Sequence, residues 1–89
     1  MKSLKPTSQF KKDLKRLEQR GFDLSALYDF LKLLCNQKII PPAYKAHFLH
    51  GNMEGYRECH LKPDWLLIWK EERDTIYLVR TGSHSDLFK

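Results

Sequence analysis

Apolar residues recur along the first third of the chain at helical steps. Phe10, Leu14 and Leu17 lie four and three residues apart, with Lys11, Lys12, Lys15 and Arg16 between them. A helix with one face to a core and the other to water produces that pattern. Thr7 or Ser8 supplies an N-cap and Gly21 a stop, so the spacing predicts a first helix between them. Leu24, Leu27, Tyr28, Leu31 and Leu34 repeat the same steps behind Asp23, the expected cap of a second helix, which Asn36 and then Pro41 and Pro42 end.

After the prolines the pattern shortens. Residues 56–61, 65–70 and 75–81 are runs of aromatic and aliphatic side chains separated by short polar links, which predicts an antiparallel meander. Trp65, Leu66, Leu67, Ile68 and Trp69 are apolar without alternation, the mark of a strand covered on both faces, so this run is expected at the centre of the sheet. Leu4 is the only firm apolar anchor before Pro6 and allows an edge strand there. The expected order is β-α-α-β-β-β. This is an α+β fold, two N-terminal helices packed on a small antiparallel β-sheet, in a single domain over residues 1–89, since so short a chain supports one core.

Sixteen Lys and Arg against eleven Asp and Glu leave a net charge of +5, which points to an anionic partner such as nucleic acid without saying which. Lys11, Lys12 and Lys15 either contact RNA backbone or form a solvated helix face. Cys35 falls in an apolar helical stretch and Cys59 in a strand, so buried thiols are expected rather than a disulfide or a metal pair. No apolar run reaches the roughly 18 residues that span a bilayer, and the N-terminus has no apolar signal core; a cytoplasmic location without membrane association is expected.

All four histidines, His47, His50, His60 and His84, fall in the second half, on or beside the expected sheet. Strand alternation would turn Tyr56, Glu58 and His60 to one face and Arg57, Cys59 and Leu61 to the other. Asp64 follows Pro63 in a turn, where its carboxylate serves either chemistry or turn N–H groups. A histidine-rich set with an aspartate could hold a transition metal, but the chain has no His-x-x-x-His helix pair and no Cys-x-x-Cys knuckle, and neither has it a phosphate-cradling glycine loop. No metal and no cofactor are expected. Imidazoles suit proton transfer near neutral pH instead.

Four motifs stand out in combination: His47, Leu49 and Gly51; Gly55, Tyr56 and Arg57 with His60; Pro63, Asp64 and Trp65; and Arg80, Thr81, Gly82 and His84 followed by Leu87 and Phe88. With them the chain resembles the YafQ branch of the RelE toxins over nearly its whole length. The resemblance implies a RelE-like, microbial-ribonuclease-like fold. It also implies a ribosome-dependent mRNA endoribonuclease that cuts in the decoding site and inhibits translation, a toxin silenced by a cognate antitoxin. The toxin–antitoxin hetero-oligomer would contact promoter DNA through the antitoxin.

The catalytic set implied by the resemblance falls on His47, His60, Asp64 and His84. Phe88 and Trp65 match residues that place or flank the substrate, and Arg57 and Arg80 match recurrent residues for which phosphate binding competes with a structural salt bridge. His50 flanks the site. His84 would act as general acid, Asp64 or His60 as general base, and His47 would orient or stabilise the phosphate while the 2′-OH attacks. The alternative is a noncatalytic basic module that binds RNA or antitoxin without cutting.

Overall fold

The structure, a computed structural model, describes residues 1–88. A strand β1 (Ser3–Pro6) leads into helices α1 (Ser8–Gln19) and α2 (Ser25–Cys35). A short strand β2 (His47–Phe48), three longer strands β3 (Arg57–Lys62), β4 (Trp65–Glu71) and β5 (Thr75–Gly82) and a one-turn helix α3 (His84–Leu87) follow. The five strands form one sheet in the order β1-β5-β4-β3-β2.

β4 is the middle strand, as its unbroken apolar run predicts, and all five residues from Trp65 to Trp69 are buried. The three long strands form the expected antiparallel meander. The sheet as a whole is mixed, because β1 pairs in parallel with β5, Leu4 opposite Ile76. A parallel partner cannot be read from a single anchor such as Leu4, since direction is set by the long path through two helices. β2 was equally invisible to periodicity: two residues show no alternation.

Thr7 caps α1, its hydroxyl accepting from Phe10 N at 3.1 Å. α2 begins later than Asp23 suggests; Leu24 is its cap residue and no side chain caps it, while Asp23 Oδ1 accepts from Ser25 N at 3.0 Å as a turn would. Phe10, Leu17, Leu27, Phe30 and Leu34 from the helices pack on Cys59, Leu61, Leu67, Trp69, Ile76 and Leu78 of the sheet. Leu66 and Ile68 are buried too, but lie outside this cluster, on the face turned away from the helices. That second face carries the candidate site. Cys59 is fully buried and its thiol is pushed up to about 12 by burial, whereas Cys35 is only half-buried and donates to Lys2 O.

One acid holds α1 to the sheet. Asp13 replaces an apolar residue in the helix stripe, is fully buried, and accepts from Arg80 Nε at 2.8 Å, Arg80 Nη2 at 3.2 Å and Arg16 Nη2 at 3.0 Å. It also accepts from the Thr81 backbone N–H at 3.1 Å, which β1 leaves unpaired because its last register pair is Pro6 with Leu78. Burial pushes the Asp13 carboxyl up, but the hydrogen bonds from Arg80, Thr81 and Gln9 and the Arg80 charge bring it below the ordinary range. No helix among the described residues is long and apolar enough to cross a membrane.

Candidate active site

The register lines the functional side chains up in two rows on the exposed face of the sheet. In one row His47, Glu58, Ile68 and Arg80 lie opposite one another on β2, β3, β4 and β5; in the next, His60, Leu66 and Gly82 do so. Residues two apart on a strand share a face and stand about 7 Å from each other, so His47, Glu58 and His60 form one group. The alternation expected for β3 holds.

His84 is brought to His60 from the C-terminal segment. Gly82 turns the chain out of β5 with φ at +154°, and a Cβ there would come within 2.9 Å of Asp86 Oδ2 and 3.0 Å of Asp86 Cβ. Any side chain at this position would push the following turn away from the sheet. Ser83 then caps α3 reciprocally: its hydroxyl accepts from Asp86 N, and Asp86 Oδ2 accepts from Ser83 N. Arg20 Nη1 at 3.0 Å and Arg16 Nη2 at 3.9 Å tie Asp86 to α1. The basic face of the first helix is thus partly structural.

Within this frame the His84 and His60 rings meet edge to face with centroids 5.7 Å apart. Asp64 Oδ1 accepts from the His84 backbone N–H at 2.9 Å and lies 2.7 Å from His84 Nδ1. An ionised carboxylate only accepts, so Nδ1 carries the proton in this contact and Nε2 is the nitrogen not engaged by Asp64. The His84 backbone N–H and then its ring hold the Asp64 carboxyl below the usual carboxylate range. Pro63 and Asp64 are the two-residue link between paired Lys62 and Trp65, and the register shift between His60 and Lys62 leaves Leu61 as the extra residue. The turn after β3 therefore points Asp64 at α3.

His47 approaches from the far side. Its Nδ1 is 2.8 Å from Lys45 O and its Nε2 is 3.4 Å from Glu58 Oε1. His50 is exposed at the start of a 3-10 turn over Gly51–Met53, on the flank of the group. Phe88 follows α3 half-exposed, with its N–H donating to His84 O at 2.8 Å, so its ring is available to a ligand.

Three other residues singled out in the sequence are engaged in contacts within the fold. Trp65 is 3 % exposed, donates from Nε1 to Thr81 Oγ1 at 2.9 Å and meets Phe22 edge to face; it packs the core beneath the Asp64 turn and offers no stacking surface in this conformation. Arg57 faces the helix side, over the Phe48 and Trp69 rings, and donates to Glu71 Oε1 at 3.2 Å. Arg80 is committed to Asp13. Both arginines make the structural pairings. Lys11, Lys12 and Lys15 are exposed.

Asp13, Glu58 and Asp86 were missed. Asp13 had a signal, an acid three residues from Phe10 and four from Leu17 on the buried stripe. Ser83 and Asp86 also have the spacing of a capping box. Among the described residues, no three His, Cys, Asp or Glu side chains are placed to share a metal ion.

Acid should disassemble this site. The Ser83 backbone N–H, with Arg20 and Arg16, lowers the Asp86 carboxyl to about 2 from its ordinary 3.8. A depressed carboxyl stabilises the fold above its unfolded value and loses that contribution as pH falls through the folded one. The α3 clamp should therefore be complete above pH 4 and fail on approach to pH 2. NMR signals of the His84 and Phe88 rings should move in that window before the core unfolds; a docked α3 at pH 2 would contradict the assignment.

The sequence of residues 2–89 matches the model of a family described as bacterial toxin of type II toxin-antitoxin system, YafQ. The chain is 39 % identical over 83 residues to the mRNA interferase toxin YafQ of Escherichia coli strain K12, covering 92 % of this chain and 90 % of that one. It superposes on an E. coli DinJ-YafQ toxin-antitoxin complex with a TM-score of 0.90 at 36 % identity, over 99 % of this chain and 98 % of the matched one. A copper-bound mutant toxin from Helicobacter pylori gives a TM-score of 0.94 at 38 % identity, over 99 % of this chain and all of that one. Sequence and fold agree: the chain belongs to the YafQ family of toxins of type II toxin–antitoxin systems.

Proposed function

We propose that this chain is an mRNA interferase, an endoribonuclease that cuts mRNA in the decoding site of the ribosome by metal-independent acid–base catalysis. The observation that carries the reading is the His84–Asp64 contact at 2.7 Å beside the His60 ring. Two imidazoles and a carboxylate meet there, with the half-exposed Phe88 following the short helix of His84, which supports an acid–base site.

In this reading a base takes the proton from a 2′-OH, the oxygen attacks the adjacent phosphorus in line, and an acid protonates the departing 5′-oxygen. The products are a 2′,3′-cyclic phosphate and a 5′-hydroxyl. His84 is the acid, its ring plane set by Asp64 and its Nε2 not engaged by that carboxylate. Asp64 already accepts two hydrogen bonds through Oδ1 and is a weakened base, which favours His60 as the group that takes the 2′-OH proton. His47 stands beside the phosphate and Phe88 stacks on a base. General acid–base catalysis of this kind is typically worth about a hundred- to ten-thousand-fold.

The ribosome supplies what so small a chain lacks, since mRNA held there has already lost the freedom that a free strand would give up on binding. Exposed Lys11, Lys12 and Lys15 contact ribosomal RNA backbone. Replacing all three by Ala should flatten the salt dependence of ribosome binding, each lysine removing about 0.7 to 0.9 from the slope of log affinity against log salt. An unchanged slope would move the contact to another face. The toxin acts in the cytoplasm and is silenced by a cognate antitoxin, through which the hetero-oligomer contacts promoter DNA. Cleavage of mRNA on programmed ribosomes, in the presence of a chelator, tests the reading; folded native protein that does not cut would leave the noncatalytic binding module.

A further inference from the structure

Among the described residues Glu58 is the one buried acid on the site face, and nothing in the acid–base scheme uses it. Its side chain is 8 % exposed, and Oε2 is buried with no hydrogen-bond partner. An unsatisfied buried carboxylate is costly, and an apolar residue would pack between Ile68 and β2 without that cost. Arg80, at the far end of the same row, is committed to Asp13 through Nε and Nη2. Arg57, next along β3, points to the opposite face and Glu71. The group left to Glu58 is the His47 ring, with Nε2 3.4 Å from Oε1.

His47 needs such a tether. Its strand β2 has two residues and two register pairs, the weakest attachment in the sheet. The other contact of the ring, Nδ1 to Lys45 O, lies two residues away on the same segment and moves with it. Lys45 itself adopts a left-handed conformation with φ of 54°, a turn that presents this carbonyl to the ring. Among the described residues, Glu58 is therefore the side chain that references His47 to the rigid part of the sheet, two positions from His60 on the same strand.

We propose that Glu58 is a positioning residue that holds the Nε2 edge of His47 and so sets where that ring meets the phosphate, an inference that rests on the nuclease reading above. Because it acts through His47, its effect must vanish when the imidazole is gone. Glu58→Gln should lower kcat on programmed ribosomes about tenfold with KM within about twofold. In a His47→Ala background the same change should alter kcat by less than about twofold, since residues acting as a unit are not additive. Glu58→Asp, which withdraws the carboxylate by one methylene, serves as the second variant if the Gln protein loses its cooperative melt, and should also be silent without His47.

Ring NMR signals of His47 read the contact without any substrate. They should shift in Glu58→Gln while those of His84 stay in place. A full additional loss in the double variant, a kcat equal to native in Glu58→Gln, or an unmoved His47 ring would each overturn the proposal. Native protein that cuts nothing, with a His47 ring that still responds to Glu58, would overturn the nuclease reading and uphold the contact.

Discussion

His84→Ala should lower the rate of mRNA cleavage by about a hundred- to ten-thousand-fold and leave the fold intact. The side chain is half-exposed, and α3 does not depend on it: the Ser83 and Asp86 capping pair and the Arg20 clamp remain, as does the backbone N–H bond from residue 84 to Asp64. Surface substitutions that remove no cap or buried contact change stability by about half a kcal/mol or less. Rate and thermal melt should thus separate completely. Ribosome affinity should persist as well, because the exposed lysines of α1 are untouched. A variant that cuts at the native rate would remove His84 as the acid, and one that no longer melts cooperatively would mean the ring is structural.

The largest effect on stability should come from a residue that touches no substrate. Asp13→Ala removes the acceptor for Arg80, Arg16 and the Thr81 N–H at once, leaving a guanidinium and a strand-edge donor without their partner. Breaking a buried pair by deleting one member typically costs about 3 to 5 kcal/mol. Against the roughly 5 to 15 kcal/mol that holds a domain together, that is a large share. At roughly 4 to 8 °C per kcal/mol for a domain of this size, the melting temperature should fall by well over about 10 °C. Urea or thermal denaturation of Asp13→Ala measures it directly. A loss below about 1 kcal/mol would mean that water or a rearranged Arg16 takes over the Asp13 contacts.

The contrast between these residues shows what the sequence could convey. The helices were legible because Phe10, Leu17, Leu27, Leu31 and Leu34 repeat at the helical period, and the core strand because Trp65 to Trp69 never alternate. The site histidines were legible through their family motifs, and strand alternation alone put Glu58 and His60 on one face. What stayed hidden depends on long-range register. The parallel docking of β1, the two-residue β2 and the burial of Glu58 follow from which strand lies next to which, and no local period encodes that.

Arg57 and Arg80 illustrate the same limit at the level of chemistry. Their types suit phosphate binding, and the ion pairs they make depend on neighbours 14 and 67 residues away, Glu71 and Asp13, which no local pattern reveals. Trp65 fell to the core because its indole N–H finds Thr81 there. On the site face the fold brings together His60, His84 and Asp64, with His47 beside Glu58 and Phe88 half-exposed.

The chemistry of the cut ends distinguishes metal-free acid–base cleavage from its competitors. Native protein and His84→Ala would be incubated with mRNA on programmed ribosomes in the presence of a chelator, and the 5′ ends mapped and tested for phosphate. Cuts within the decoding site should carry 5′-hydroxyls and disappear with His84. Cuts bearing 5′-phosphates, or cuts abolished by the chelator in native protein, would contradict that mechanism.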